Sequence, residues 1–439
     1  MVLLISGALF SCPQNSRMAF AAGGQTGTEQ SAESKGAKGS ETKEDITLKA
    51  AGDDAGDDAG DGNVTAKGDV STKAGELFRV KRSNGTVVGE YSAWSSAYNA
   101  AANGYTIEII GDDVTLALNS PLEITRDITL TSENPEARCT IRNSTSSSRM
   151  IRVDTCTLTL KDIILDGNNV HLSSNSGAIV SVIGTSSRAG VLNIKDGAEL
   201  KNGYSVHNGG AVNLDNYGEA NMDGGSIHDC YAEDVGGGVS IYGTNAVFNM
   251  SGGTIEKCTS NDGTYFAGGG VCIYNGKFYM SGNAEIKDCR ALRVGGGGVG
   301  INHHEQFYMS GGSITGCSAP SSSAGGGDAV EAHGDFYMSG GVITGNSSSG
   351  MGAVRFYSSG DGTGDGRLFV SGNPQIYGNG NRNVYIEGWY QNKIQVKETL
   401  DEAALIYVYE DYNDAKTGTQ FGKYANGKNS NLQVFRNDR

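Results

Sequence analysis

From about residue 190 to about residue 380 the chain repeats one pattern of apolar and polar positions. Each unit of about 29 residues opens with a stretch such as "FYMSGG", in which every second residue is apolar. Shorter stretches such as "AEIKDC" and "GGGVGIN" follow within the same unit. Alternation with period two predicts β-strands with one buried face, and the glycines between them predict corners. Each unit is therefore predicted to hold three short strands.

The repeat aligns on the apolar residue that precedes the Ser-Gly or Asp-Gly corner. Leu130 and Leu160 extend this series upstream with looser spacing. A fixed period without a helical pattern is typical of a solenoid, in which each unit is one turn stacked on the next. We predict a parallel β-helix of roughly ten or eleven turns, each rising ~4.8 Å. The aligned residues, separated by 28, 28, 30, 29, 29 and 32 positions, are Ile194, Met222, Met250, Met280, Met309, Met338 and Val370.

Stacking in register predicts columns of identical side chains inside the helix. Phenylalanine and methionine fill the first strand, and isoleucine fills the second. Three residues after each isoleucine lies a cysteine, which Asn346 replaces in a later turn. Stacked parallel cysteines suit the disulfide torsion poorly, so we predict a buried ladder of free thiols. A redox or metal role for these thiols remains the alternative. The predicted thiol ladder is Cys230, Cys258, Cys289 and Cys317.

The strongest candidate for ligand binding points outward from the first strand. Tyr279, Tyr308, Tyr337 and Phe369 fall at one-turn spacing and predict a strip of four rings about 14 Å long. Sugars stack their apolar faces on such strips, so the row is a candidate glycan site. Aromatic pairs on adjacent strands also stabilise a sheet by about 0.2–1 kcal/mol each, which is the alternative explanation of the row.

The N-terminal part of the chain differs from the repeats. Residues 1–21 hold a short apolar run and an Ala-Phe-Ala site, which predict a signal peptide; acylation at Cys12 is the alternative. Residues 22–75 are acidic, of low complexity and poor in large apolar residues, and they predict a disordered linker. Residues 76–439 are predicted to form the β-helix.

One helix is predicted at the start of this ordered part. The stretch "YSAWSSAYNAAANG" spans Tyr91 to Gly104, so the helix covers about residues 91–103. Its apolar residues recur at helical spacing, and Gly104 supplies a stop signal. We expect this helix to cap one end of the β-helix. The residues expected on its buried face are Trp94, Ala97, Tyr98 and Ala101.

Composition and charge exclude several classes of function. Glycine accounts for 67 of 439 residues and proline for only 5, which excludes collagen and proline-rich linkers. The net charge of −15 argues against binding nucleic acid or anionic membranes. Neither a zinc motif nor a calcium loop is present, and His303-His304 is interpreted as a solvated turn. We therefore predict no metal, no cofactor and no membrane insertion of the mature chain.

The repeat also resembles a known family. "MSGGxI", followed by Cys or Asn and then "GGGV", is similar to the glycine-rich repeats of bacterial cell-surface proteins with a right-handed β-helix of the pectate-lyase-like superfamily. The stretch "AWSSAYNAAANG" before "YTIEII" resembles the helix that caps such solenoids. The resemblance implies a right-handed parallel β-helix in a secreted or cell-surface, adhesin-like protein. It leaves activity open, because the superfamily spans lyases, glycosidases, phage tailspikes and adhesins.

Motifs for catalysis are weak. The Gly-His-Gly motif that the resemblance implies for glycosidases is absent, and Asp112-Asp113 is interpreted as a turn. We predict a non-catalytic module that binds extended ligands, either glycans or a protein partner, along its lateral faces. The alternatives are a polysaccharide lyase or glycoside hydrolase, and a purely structural stalk. Single acids recur outward in the turns at Asp196, Asp223, Asp229 and Asp288.

Overall fold

The chain winds into a parallel β-solenoid of about nine turns. The predicted signal peptide and most of the predicted linker lie outside the residues that can be described, and the handedness of the solenoid stays a prediction. The computed structural model describes residues 64–67, 75–144, 149–172, 177–263, 266–320, 326–347, 351–357, 366–380, 382–386, 394–410, 422–424 and 435–437.

The first strand of each turn belongs to one long sheet, called sheet 1. Neighbouring strands are parallel and in register, so Met250 lies opposite both Met222 and Met280. The same column continues through Met309 and Met338, which confirms the predicted alignment of the repeat. The strands of sheet 1 are Tyr105–Ile109, Ile128–Ser132, Thr157–Leu160, Gly190–Ile194, Gly218–Met222, Ala246–Met250, Gly276–Met280, Gln306–Thr315, Asp335–Thr344, Arg367–Gly372, Ile394–Leu400 and Gly422–Tyr424.

The second strand of each turn forms sheet 2, whose inner face carries the predicted isoleucine column. The strands Gln306–Thr315 and Asp335–Thr344 run through the corner, and their second halves pair within this sheet. The remaining strands of sheet 2 are Thr115–Leu118, Thr140–Asn143, Ile163–Asp166, Ala198–Lys201, Ser226–His228, Thr254–Glu256, Glu285–Lys287, Gln375–Ile376, Leu405–Glu410 and Phe435–Asn437.

One further ladder completes each turn, and a second, shorter one is present in the middle turns only. The third predicted strand forms sheet 3, and a short additional ladder, sheet 4, lies between sheets 2 and 3 in the middle turns. The strands of sheet 3 are Leu122–Ile124, Ile151–Asp154, Val180–Ile183, Val212–Leu214, Val239–Ile241, Val271–Ile273, Val299–Ile301, Gly327–Ala332, Gly352–Phe356 and Val384–Ile386. Those of sheet 4 are His171–Leu172, Tyr204–Ser205, Tyr231–Ala232, Thr259–Ser260 and Arg290–Ala291.

The core is the continuous column that the pattern predicts. Phe248, Phe278, Phe307 and Phe336 are fully buried, and their rings stack with centroids 5.0, 4.8 and 4.7 Å apart. The planes of neighbouring rings differ by 8° or less. Each turn therefore presents to the next a surface of the same shape, which explains why the phrase "FYMSGG" recurs.

Sheet 3 differs from expectation because both of its faces are largely buried from the strand Val180–Ile183 onward, whereas its first two strands keep the alternating pattern. In these later strands the outward side chains of Asn213, Ser240 and Cys272 have no solvent exposure. Loops that precede its strands lie over this outer face. At Gly300 an added Cβ would lie 2.1 Å from the carbonyl oxygen of Phe266, so only glycine fits beneath that loop.

The first turn is covered by a cap. Helix α1 spans Trp94–Ala100 and buries Trp94 and Ala97 as predicted, but it ends three residues earlier than expected. Its C-terminal residue is followed by Ala101 in extended conformation, and Gly104, with φ of 81°, instead turns the chain into sheet 1. The strand Phe78–Lys81 pairs antiparallel with both Val87–Tyr91 and Tyr105–Ile109.

Part of the segment predicted as a linker is a strand. Val64–Lys67 pairs antiparallel with Thr115–Leu118, the first strand of sheet 2. A first strand would otherwise present unpaired backbone groups along one edge, and this segment satisfies them. Composition alone could not predict this pairing, because the backbone of the edge strand supplies the partner groups. In the described part of the chain, no helix is long and apolar enough to cross a membrane.

Candidate functional site

The four residues proposed for ligand binding lie in one row on the outer face of sheet 1. The row runs Tyr279, Tyr308, Tyr337, Phe369, with ring centroids 4.9, 4.7 and 4.5 Å apart and planes tilted by 9°, 11° and 16°. Exposure falls from 38 % at Tyr279 to 4 % at Phe369. The predicted adjacency of these residues is therefore confirmed, while their binding of a glycan stays a prediction.

The stacking determines which part of each ring meets solvent. Tyr308 and Tyr337 have an aromatic neighbour on both faces, so their faces are occupied within the row. Solvent meets ring edges and phenol hydroxyls instead. A sugar cannot stack on the faces of these two rings as the sequence suggested, and contact with a ligand would go through hydroxyl groups and ring edges.

Charged side chains surround the end of the row. Arg367 donates two hydrogen bonds to the carboxylate of Asp335, at 2.9 and 3.0 Å. The Tyr337 hydroxyl donates to the same carboxylate at 3.3 Å. Burial, followed by the nearby charge of Asp335, raises the pKa of Tyr337 to about 12. Lys397 lies over Phe369, with Nζ 4.2 Å from the ring centroid.

The same row continues toward the cap with amide side chains. Asn249 donates from Nδ2 to Oδ1 of Asn221 at 2.8 Å, and Asn221 donates to Asn193 at 3.2 Å. Asn193 donates in turn to the hydroxyl of Thr159 at 3.1 Å. The outer face of sheet 1 is thus one continuous row, polar in its first half and aromatic in its second.

A second aromatic row, which the repeat pattern did not predict, follows sheet 3. Tyr242 and Tyr274 stack at 4.8 Å, and both are exposed at more than a third of their surface. Two turns on, His333 stacks on Tyr357 at 4.2 Å. Phe266 comes from an overlying loop and contacts Tyr274 and His333 at 5.6 and 6.2 Å. The signal was present as aromatics directly after the strands, but Asn302 interrupts the series.

Beside this row lies a buried charged cluster. Glu331 is fully buried and accepts hydrogen bonds from the backbone nitrogen of Gly327 at 2.8 Å, from Nε2 of His333 at 3.2 Å and from Nη1 of Arg355 at 2.9 Å. A carboxylate removed from water requires such partners. Because all three charged or polar side chains are buried, we assign the cluster a structural role rather than contact with a ligand.

The two histidines interpreted as a solvated turn behave differently from each other. Both lie in a turn, and His304 is exposed. The His303 ring is instead partly buried, 5.0 Å from His333 and 6.1 Å from Tyr357. The interpretation is therefore corrected for His303, whose ring packs against residues that only the stacking of turns brings near.

The cysteine column is a ladder of buried, free thiols, as predicted. The thiol of Cys317 donates to the carbonyl oxygens of Ile286 and Thr315. One turn later, Nδ2 of Asn346 donates to the equivalent carbonyls of Ile314 and Thr344. Asparagine and cysteine therefore satisfy the same backbone groups, which explains why they exchange at this position.

The acidic residues that the sequence pattern singled out do not form a pair of carboxylates suited to catalysis. Asp112 accepts a hydrogen bond from Asn134, and Asp113 lies in a turn with φ of 52°. Asp223 pairs with Lys195, and Asp229 pairs with His228. Within the described ranges, no group of three or more His, Cys, Asp or Glu side chains is arranged to hold a metal ion.

One ion-pair network on sheet 2 shifts the pKa values of two of its members strongly. His228 contacts Glu199 through Nε2 at 3.3 Å and Asp229 through Nδ1 at 2.7 Å. The bond to Glu199, followed by that to Asp229, raises the pKa of His228 to about 9. The bond from His228, with help from Lys201, lowers the pKa of Glu199 to about 2. The charged form of both groups is thereby stabilised.

Comparisons with known proteins do not extend this description. No protein-family model matches the chain, and neither a curated protein nor a solved structure matches it.

Proposed function

We propose that this protein is a non-catalytic, adhesin-like β-helix that binds an extended ligand along its lateral face. The row of Tyr279, Tyr308, Tyr337 and Phe369 supports this proposal most directly. Its three tyrosines reach solvent at successive turns of sheet 1, while Phe369 is buried at the end of the row, and such a repeated surface suits a polymer better than a small molecule. Many weak contacts over several turns would supply the affinity.

The proposal includes a place in the cell and a family type. The repeat phrases and the predicted signal peptide favour a secreted or cell-surface protein with a right-handed, pectate-lyase-like β-helix. The ligand is a polysaccharide, a glycoprotein or a surface protein of another cell. The proposal requires no cofactor or metal, and neither nucleic acid nor a membrane is a partner.

Native gels cast with individual polysaccharides test the proposal. We expect the full chain to be retarded by at least one polymer without clearing it. Tyr308→Ser should weaken this retardation. Tyr308→Phe keeps the ring and removes only the hydroxyl, so it shows how much of the binding depends on the hydroxyl group. Clearing of the polymer around the protein band would instead identify a lyase or hydrolase. Unchanged migration on every gel would favour the structural stalk.

A further inference from the structure

We propose that the ligand of the outer face of sheet 1 is an acidic linear polysaccharide, carrying carboxylate or sulfate groups. This inference rests on the proposed function and names the class of polymer. It follows from three features of the face: the orientation of the rings, two lysines without an ion pair, and a line of serine hydroxyls beside the rings.

The ring orientation favours anionic groups. An aromatic ring is negative on its faces and positive at its edge. Tyr308 and Tyr337 use their faces within the row, so a ligand meets the positive edges of both rings and the phenol hydroxyl of Tyr308, while the Tyr337 hydroxyl already donates to Asp335. Neutral sugars that bind by stacking require open faces. Carboxylate and sulfate oxygens are attracted by ring edges and accept hydrogen bonds from phenols.

Two exposed lysines mark the two ends of the aromatic row. Lys277 lies two residues before Tyr279 on the same face of its strand, and Lys397 covers the ring of Phe369. In the described part of the chain neither ammonium forms a salt bridge, whereas Lys195 on the same face pairs with Asp223. Four strand spacings, about 19 Å along the solenoid axis, separate the strand of Lys277 from that of Lys397. The two lysines also lie on opposite sides of the aromatic row, because Lys397 follows Gln395, the partner of Phe369, by two residues. A polymer spans this distance, and a single sugar does not.

The net charge of the whole protein makes these two lysines more important for attracting an acidic polymer. The chain carries a net charge of −15, so a polyanion is repelled by most of the surface. Arg367 is engaged by Asp335, so among the described side chains of this face Lys277 and Lys397 are the exposed cations without an ion pair. Binding of an acidic polymer should therefore depend on these two side chains and weaken with salt.

Serine residues run parallel to the aromatic row. Ser310 and Ser339 are exposed, one residue beyond the buried methionine column, and Ser281 is half-buried. Hydroxyl groups at a spacing of ~4.8 Å can donate to and accept from the hydroxyls of a sugar chain. A peptide of aspartate and glutamate lacks such hydroxyls, whereas every sugar of a polysaccharide carries several, so this feature favours a polysaccharide over a polypeptide of the same charge.

The test compares charged and neutral polymers that share a backbone. Carboxymethylcellulose is paired with hydroxyethylcellulose, and dextran sulfate is paired with dextran, in native gels of the full chain. We expect retardation by at least one acidic polymer and none by its neutral partner. Polyglutamate serves as a polyanion without sugar hydroxyls, and it should bind more weakly than the acidic polysaccharide that is retained best.

Variants connect the effect to the two lysines. Lys277→Gln and Lys397→Gln should each weaken binding roughly threefold, and the double variant should weaken it about tenfold. Lys195→Gln is the matched control, because that lysine lies on the same face but is already paired, and its binding should not change. All three side chains are at the surface, so thermal unfolding of each variant should match that of the original protein.

The outcomes separate this inference from the proposed function. Equal binding of neutral and acidic partners, or no loss in the double lysine variant, would overturn the acidic ligand and leave a polysaccharide-binding protein. Binding of polyglutamate as tight as that of the best acidic polysaccharide would reduce the effect to charge alone and also overturn the inference. If neither these polymers nor any other glycan retards the protein, the proposed function is overturned as well.

Discussion

One residue in each middle turn adopts a left-handed backbone directly before the cysteine and asparagine column. Left-handed backbone is unfavourable for residues with a Cβ by roughly 1–2 kcal/mol, and glycine avoids this cost. Later turns use glycine at this position, and earlier turns use Asp or Lys. The residues are Asp229, Lys257, Asp288, Gly316, Gly345 and Gly378, with φ between 52° and 66°.

Replacing Lys257 by glycine should therefore stabilise the fold, because lysine occupies a backbone conformation that favours glycine. We expect Lys257→Gly to stabilise the protein by up to about 1 kcal/mol, because the gain from relieved strain exceeds the added chain entropy of glycine. Chemical denaturation measures the change. Lys277→Gly is the control, since Lys277 lies in a strand and glycine there should destabilise. A loss of stability in Lys257→Gly would contradict the argument.

His228 makes stability depend on pH in the neutral to alkaline range. Its pKa lies above the ordinary value of 6.5, at about 9, so the charged form is favoured in the folded state. This contribution is complete below pH 6.5 and disappears as the pH rises through about 9. We expect the destabilisation in His228→Gln to be larger at pH 6 than at pH 10.

The titration of His228 can be measured directly by NMR of the imidazole protons. A midpoint near 9 is expected in the folded protein. Asp229→Asn should lower this midpoint modestly, and Glu199→Gln should lower it more, because the bond to Glu199 is the larger cause. A midpoint near 6.5 in the original protein would show that the network does not hold His228 in its charged form.

At the scale of elements, the aromatic row of sheet 1 can be treated as a series of contacts. Tyr308 has two ring neighbours and Tyr279 has one. Each contact is worth about 0.2–1 kcal/mol, so Tyr308→Ser should destabilise the protein about twice as much as Tyr279→Ser. Urea denaturation measures both. Equal losses would mean that stacking contributes little and that burial of single side chains dominates.

The elements also show how far the sequence could predict the structure. The columns of Met, Phe, Ile and Cys were predictable, because identical residues recur at nearly constant spacing and each column follows from one alignment. The aromatic row of sheet 1 was predictable for the same reason. Sheet 4 was not, since a two-residue strand such as Tyr231–Ala232 carries no periodicity.

Contacts made by loops were not predictable either. The outer face of sheet 3 looked exposed from its alternation, yet loops cover it, and their path depends on glycines such as Gly300 rather than on a pattern. Glu331, His333 and Arg355 belong to two neighbouring turns, and no motif connects them in the chain. Sites of this kind become visible only when the number of residues in each turn is known.

At the scale of the whole molecule, each turn contacts only its neighbours, so damage should remain local. Trp94 is buried in the cap, 5.9 Å from the ring of Phe78 and stacked on Tyr98 at 5.6 Å. Trp94→Ala should remove hydrogen-exchange protection in the first turns and leave residues 246–344 unchanged. Phe278→Ala, in the middle of the solenoid, is the comparison and should reduce protection there.

The cap precedes every turn in the chain, and this order has a consequence for synthesis. The residues that finish the first edge leave the ribosome before the turns that need a surface to stack on. Each later turn then finds its template already folded, because its partner strands lie about 29 residues earlier. The protein is therefore suited to fold in the direction of translation, one turn at a time, without waiting for distant parts of the chain.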